Sequence, residues 1–390
     1  MNARDAVVDA LRHQAAACAY LESPFYDALL TNMAADAARG GPTCGLLEPY
    51  ASNLVDDASA LRVMGGLHFR VLRGDEPTLA AHYPSTGGDG DADAAWPAFR
   101  ALLDDPPPEL VDALRRPPQT NEVGRSASLV AGFLAVAAEF GLPLRVLELG
   151  ASAGLNLQFD RYRYEQGAAG FGPGDSPVRF TDLWAEVTPP FATSLVVAER
   201  RGCDRDPIDV SVADDRLRLL AYIWPDVTAR FARTRAALEL AAESPPPVDR
   251  ADAAAWIAQQ LPVPTPGRAT VVFHSIVWQY LDSATAAGVR TTIETAGAAA
   301  TRDAPVAWLR LEPDDTWRAE GRPPPSHAQL RLRVWPGGDD RHLADASFHT
   351  GPLRPPAHGA SGAGPSAPSG ERSQLRSLSP WRGSLRPPGS

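Results

Sequence analysis

The chain has 390 residues and a formal net charge of −10, from 47 acidic and 37 basic residues. Every basic residue is arginine, which excludes the lysine of a Walker A phosphate loop and that of a pyridoxal phosphate Schiff base. The acidic balance argues against a nucleic-acid-coating protein, whose phosphate contacts need a basic face; the hydrophobic content of 44% is that of a folded protein, and the length suggests about two domains.

The N-terminal MNARDAVVDALRHQ has acids among its apolar residues and no uninterrupted apolar core of a signal peptide. No later run approaches the ~20 apolar residues of a membrane span. Cys18, Cys44 and Cys203 are far apart and odd in number, which speaks against a disulfide framework or a Cys-ligated metal. These features lead us to expect a cytoplasmic protein with no membrane partner and no metal.

Residues 1–118 read as a helical domain: AVVDALRHQAAACAYL and SPFYDALLTNMAADAA repeat apolar residues at three- and four-residue spacing, with Ser23-Pro24 as a helix start. PSTGGDGDADAAWP, 84–97, reads as a loop. A nearly all-apolar helix, expected to be buried, follows from Glu122 to Phe140. The pattern then changes. Short β-rich segments, LRVLEL (144–149), SLVVAERRGCD (194–204), PPVDRAD (246–252), ATVVFHS (269–275) and PVAWLRLEP (305–313), alternate with helical ones. That alternation predicts the fold class α/β: a doubly wound, mostly parallel Rossmann-like sheet over 119–349, with helices on both faces.

RYRYEQGAAGFGPGDSPVRFTDLWAEVTPP, 161–190, is predicted to be an inserted, protruding hairpin. QLRLRVWPGGDDRHLADASF predicts an antiparallel hairpin turning at Pro336-Gly337-Gly338 and closing the sheet. Residues 350–390 hold five arginines against one glutamate in Pro/Gly/Ser-rich sequence, which predicts a disordered tail.

The chemistry concentrates at RVLELGASAGLN, 145–156. In a doubly wound sheet the loop after the first strand approaches the ligand, and Gly150 and Gly154 leave room for backbone contact. A dinucleotide G-x-G-x-x-G pattern would fall on Gly150, Ser152 and Leu155, and fits one position of three. The pattern acid-x-G-x-G-x-G falls on Glu148, Gly150, Ser152 and Gly154, and fits three of four. It resembles the opening of Rossmann-like S-adenosylmethionine-dependent methyltransferases, where the acid helps hold the amino-acid end of the cofactor.

By the same resemblance, RGCDRDP ends a second strand whose Asp204 accepts the ribose hydroxyls, with Glu199 as the fallback. Asp249-Arg250-Ala251-Asp252-Ala253 ends a third, with Asp252 on the adenine amino group and the Ala253 N–H on the ring. LELGASAGLNL, QTNEVGR, RGCDRDP, VVFHSIVWQYL and RLRVWPGG together resemble domain-of-unknown-function family 2332, a bacterial family that is methyltransferase-like, over about residues 8–349. The resemblance implies a methyltransferase sheet and S-adenosylmethionine, and leaves the methyl acceptor, a small molecule or a protein, unnamed. Ser152 departs from the glycine of the general loop. The last strand, LADASFHTGP, runs into proline-rich sequence near Phe348, where a frameshift is a candidate cause.

His274, at the end of VVFHS, falls where this superfamily delivers catalytic residues and is the candidate general base; the alternative is a structural histidine bonded to a neighbouring loop. Ser275, Trp278 and Tyr280 are pocket wall or core. Gln119, Thr120, Asn121, Glu122 and Arg125 carry more polar groups than a helix cap needs, and are candidates for a lid over the cofactor or for substrate contact. Asn156 and Arg161 are further binding candidates. Two other readings stand beside methyl transfer: a non-catalytic cofactor-sensing or interaction module, and a hydrolase built on Ser152 in GASAG.

Overall fold

The computed structural model describes residues 2–55, 57–261, 265–314, 325 and 327–356. In chain order the elements are α1 (Ala3–Tyr20), α2 (Pro24–Ala38), α3 (Pro42–Leu47), α4 (Ser59–Arg73), α5 (Pro77–Ala80), α6 (Ala92–Asp104), α7 (Pro108–Arg115) and α8 (Ser126–Phe140). They continue with β1 (Leu144–Leu149), β2 (Arg163–Gln166), β3 (Ala169–Phe171), β4 (Arg179–Thr181), β5 (Val197–Asp204), α9 (Ala213–Ala221), α10 (Thr228–Glu243) and β6 (Val248–Arg250). The last are α11 (Ala253–Gln260), β7 (Ala269–Ser275), α12 (Ser283–Ala298), β8 (Val306–Glu312), β9 (Ala328–Trp335) and β10 (Asp340–Ala346).

Among the described residues the chain divides into two units: a helical one, residues 2–120 with 212–235, and a sheet-bearing one, 121–211 with 236–356. The helical unit is therefore discontinuous, where the sequence suggested an unbroken stretch to 118. The reason lies in remote partners. The Asp226 carboxylate accepts the Ser23 hydroxyl at 2.6 Å and the Phe25 N–H at 2.9 Å, so the cap of α2 comes from 200 residues downstream rather than from Ser23. His68, fully buried, bonds the Ala221 carbonyl at 3.0 Å, and Gly65 lacks a Cβ where Tyr222 packs. Within 84–97 the loop ends at Asp91, whose side chain caps α6 through the Ala94 N–H.

The larger sheet of the second unit has seven strands in the order β10-β9-β8-β7-β1-β5-β6. β6, β5, β1, β7 and β8 are parallel, and β9 and β10 form the expected antiparallel hairpin at the β8 edge. Counted along the chain within this sheet the parallel part runs 3-2-1-4-5, the doubly wound order. Both faces are covered. Leu147, Leu149, Val272 and Trp308 pack with Trp256 and Ile257 of α11 and Val289 and Ile293 of α12. The alternate residues meet α8, where Phe133 stacks on Phe159 at 3.9 Å and meets Phe273 edge-on at 5.0 Å. Gly132 leaves room for Leu309. Each buried ring contributes about 1.5–3 kcal/mol. The apolar stretch Val123–Phe140 is long enough to cross a membrane and is 72% buried.

The insertion is more than a hairpin. β3-β2-β4 form a second sheet, with β2 antiparallel to β3 and parallel to β4. It packs down rather than protruding: Tyr162, Tyr164 and Trp184 are fully buried, and the Trp184 indole donates to the Ala127 carbonyl at 2.9 Å. The end of the sheet is also longer than expected. Residues 347–354 form a strap in which Leu353 is fully buried and donates to the Leu183 carbonyl, while Arg354 bridges Asp345. The rest of the predicted tail, 357–390, lies outside the described residues.

Candidate functional site

From β1 the sheet grows through β5 to β6 in one direction, and from β7 to β8 in the other. The carboxyl ends of β1 and β7 are thus the topological switch point, where ligands of doubly wound folds bind. The loops meeting there are 150–154 and 275–278. Gly150, Ser152 and Gly154 all adopt left-handed conformations, with φ of 68°, 52° and 69°. Ser152 thus departs from glycine at a position that favours glycine. Asp204 and the loop hold it there: its N–H donates to Asp204 Oδ2 at 2.8 Å, and its carbonyl accepts from Ile208 N at 3.2 Å.

Glu148, next to last in β1, has 1% of its surface exposed. Burial pushes its carboxyl well above the usual carboxylate range, the Asp204 charge adds to the shift, and Arg125 and the Asn156 amide oppose it. Beside it, Asn156 accepts the Ser126 hydroxyl at 2.7 Å through Oδ1. The Asn156 amide faces the Glu148 carboxyl without closing a full hydrogen bond to it, and Glu148 Oε2, Asn156 Nδ2 and Ser152 Oγ are each buried with no hydrogen-bond partner, costly groups to leave unmade.

The polar run before α8 is split. Gln119 and Thr120 belong to the helical unit, and Asn121 opens the other. Asn121 Oδ1 accepts the Leu155 N–H at 2.9 Å, fixing the far side of the glycine loop. Glu122, 2% exposed, accepts the Gly124 N–H and pairs with His349 of the strap at 3.2 Å. Arg125 donates to the Ser275 and Phe348 carbonyls, each at 3.1 Å, and so ties the end of β7 to the strap. Arg161 bonds Gln158.

Asp204 stands beside the glycine loop, accepting from Ser152 N and from Asp206 N at 2.9 Å. Glu199 is held at the opposite end of the strand by Arg145 and Arg268, away from the loop. Asp252 caps α11 through the Ala254 and Ala255 N–H groups, and Ala253 begins that helix. The next acid, Asp249, is taken by Arg201 and the Trp256 indole.

His274 lies on the other face of the sheet from Glu148. Glu148 is in register with Phe273, which meets α8, and successive strand residues alternate faces. The imidazole is fully buried and both nitrogens are engaged: Nε2 accepts the Trp308 indole at 3.1 Å, which leaves the proton on Nδ1, 2.7 Å from Glu312 Oε1. Trp278 stacks on the ring at 5.1 Å. His274 and Ser152 do not pair, since both imidazole nitrogens are taken by Glu312 and Trp308 and Ser152 Oγ has no hydrogen-bond partner. Among the described residues no trio of His, Cys, Asp or Glu is grouped to hold a metal.

Three contributors escaped the sequence reading. Ser126 orients Asn156 across 30 residues. Glu312 Oε1 accepts three N–H groups, from His274, Val277 (3.0 Å) and Trp278 (3.3 Å). Val277 lays its Cγ2 where a Cβ on Gly150 would stand. Glu312 ends the strand beside β7, and that position was the one available signal.

A family model described as an uncharacterized protein conserved in bacteria (DUF2332) covers residues 8–354, extending past Phe348 into the strap. No curated protein and no solved structure matches the chain.

Proposed function

The chain belongs to that bacterial family, and from its switch point we propose an S-adenosylmethionine-dependent methyltransferase. The observation that carries the proposal is the buried, unsatisfied set of Glu148 Oε2, Asn156 Nδ2 and Ser152 Oγ at the carboxyl end of the central strand. A carboxyl group kept from water gains most from a ligand that brings a positive charge, and the amino-acid end of this sulfonium cofactor does so. The residues fit the group in donor and acceptor chemistry. Glu148 would hold the ammonium, Asp204 the ribose hydroxyls, and Asp252 with the Ala253 N–H the adenine. When bound, the cofactor supplies an electrophilic methyl group.

This chain's part is then to bind, orient and exclude water. Asn121 and Asp204 fix the glycine loop from two sides, and Arg125 joins the end of β7 to the strap. With both nitrogens engaged, His274 acts as a positioning residue for Glu312 and the loop after β7, rather than as the general base. The acceptor is a small molecule or a protein.

A second reading, a non-catalytic module on the same fold, has one observation in its favour: Val277 fills the space beside Gly150. Calorimetric titration of the full chain with S-adenosylmethionine, S-adenosylhomocysteine and NAD separates the two. Binding of both sulfur compounds and not of NAD is expected. Asp204→Ala should weaken it at least about tenfold, since hydrogen bonds to a charged group contribute ~1.5–3 kcal/mol each. No binding of either sulfur compound would overturn the methyltransferase reading.

A further inference from the structure

The segment Ser275–Trp278, between β7 and the short turn Trp278–Tyr280, combines three features that no ordinary connection needs together. Ile276 has a φ of 53°, a left-handed conformation that a β-branched side chain adopts only under constraint. Val277 lays its Cγ2 in the space that a Cβ on Gly150 would take, so its side chain covers that backbone. Glu312 Oε1 grips the segment from the neighbouring strand, through the Val277 and Trp278 N–H groups and His274 Nδ1, and the Ile276 N–H bonds the Leu311 carbonyl at 3.0 Å.

We infer that Ser275–Trp278 is a gate on the glycine loop: Val277 is its plug, Glu312 its latch, and the left-handed Ile276 the spring that opposes closure. It rests on the reading of the glycine loop as a cofactor cradle. The physical logic is that of a two-state element. Hydrogen bonds hold the segment shut, backbone strain favours release, and a ligand needing the space beside Gly150 binds only the released form. Swinging Val277 away lets Ile276 return to an ordinary φ and uncovers the Gly150 backbone. The Ser275 carbonyl, fixed by Arg125 at 3.1 Å, is the hinge end that stays in place.

The gate is read in the ligand-free full chain by hydrogen–deuterium exchange of the Val277 and Trp278 amides, and its consequence by stopped-flow association of S-adenosylhomocysteine. Glu312→Gln weakens the latch and should speed exchange about fivefold. Ile276→Asn tolerates the left-handed region, steadies the closed form, and should slow both exchange and association. Val277→Ala removes the plug and should speed association about tenfold. A merely structural loop would lose stability in all three variants without these opposed directions. Exchange moving the same way in Glu312→Gln and Ile276→Asn overturns the gate, as does Val277→Ala associating no faster than the parent. If S-adenosylhomocysteine binds none of the proteins, the cofactor reading falls, and the exchange pattern alone upholds or overturns the gate.

Discussion

Glu148 is the residue whose burial ties the stability of the fold to pH. Its carboxyl is raised in the folded chain by burial first and by Asp204 second, so the fold holds its proton above the pH where the unfolded chain loses it. Stability from this group is therefore fully present below the ordinary value of 4.5 and is lost as pH climbs from there toward the raised folded value. Glu148→Gln, neutral throughout, should be more stable than the parent at neutral pH, and the gap should close toward pH ~4.5; urea unfolding at a series of pH values checks it. A cationic ligand would reverse the preference and expel the proton. Titration of the parent in buffers of different ionisation enthalpy should then show proton release that Glu148→Gln lacks. His274 makes a different prediction. His274→Ala removes two buried hydrogen bonds and strands the Trp308 indole N–H, which should cost about 3 kcal/mol of unfolding free energy. Unchanged stability would mean the imidazole is not held as described.

At the scale of elements, helices and strands were legible wherever their pattern is local. β7 falls on ATVVFHS, and the hairpin of β9 and β10 turns where Pro336-Gly337-Gly338 said it would. The insertion was misread because its aromatics alternate like those of a free hairpin, while Trp184 and Tyr164 are buried by partners, Ala127 and Phe159, that precede the insertion in the chain. The strap was misread because proline-rich composition hides one apolar residue, Leu353, whose pocket is made elsewhere. Ending the chain after Thr350 should therefore lower stability by about 2–3 kcal/mol, the transfer of one leucine plus the lost Asp345–Arg354 bridge. Ending it after Pro356 should leave the melting temperature nearly unchanged. Equal melting of the two truncated chains would show that Leu353 contributes nothing.

For the whole molecule, the division into units is the property that composition concealed. Residues 212–235 lie between strands of the sheet in sequence, yet they belong to the helical unit. There they supply Ala221 to His68, Asp226 to Ser23 and Phe25, and Trp224 and Phe231 to the aromatic cluster around Tyr26 and His68. A fragment of residues 1–120 should thus melt without a cooperative transition, its buried His68 deprived of the carbonyl that satisfies it. Circular dichroism melting reads this, and a sharp transition in the fragment would show that 212–235 is dispensable.

The sequence by itself determined the α/β class, the position of the strands and of the closing hairpin along the chain, the glycine loop and the acids at two strand ends. All of these follow from local periodicity and from the spacing of glycine, proline and acid, which short stretches encode. Tertiary structure decided what those residues face. The residues at 148 and 274 each stand one before the end of a strand at the switch point, but the pleat sends Glu148 to the α8 side and His274 to the side of Trp308. Gly150 is bare to the sequence, and the space beside it is taken by a valine 127 positions away. A side chain's partner depends on which strands become neighbours, and that is settled by packing across the chain rather than along it.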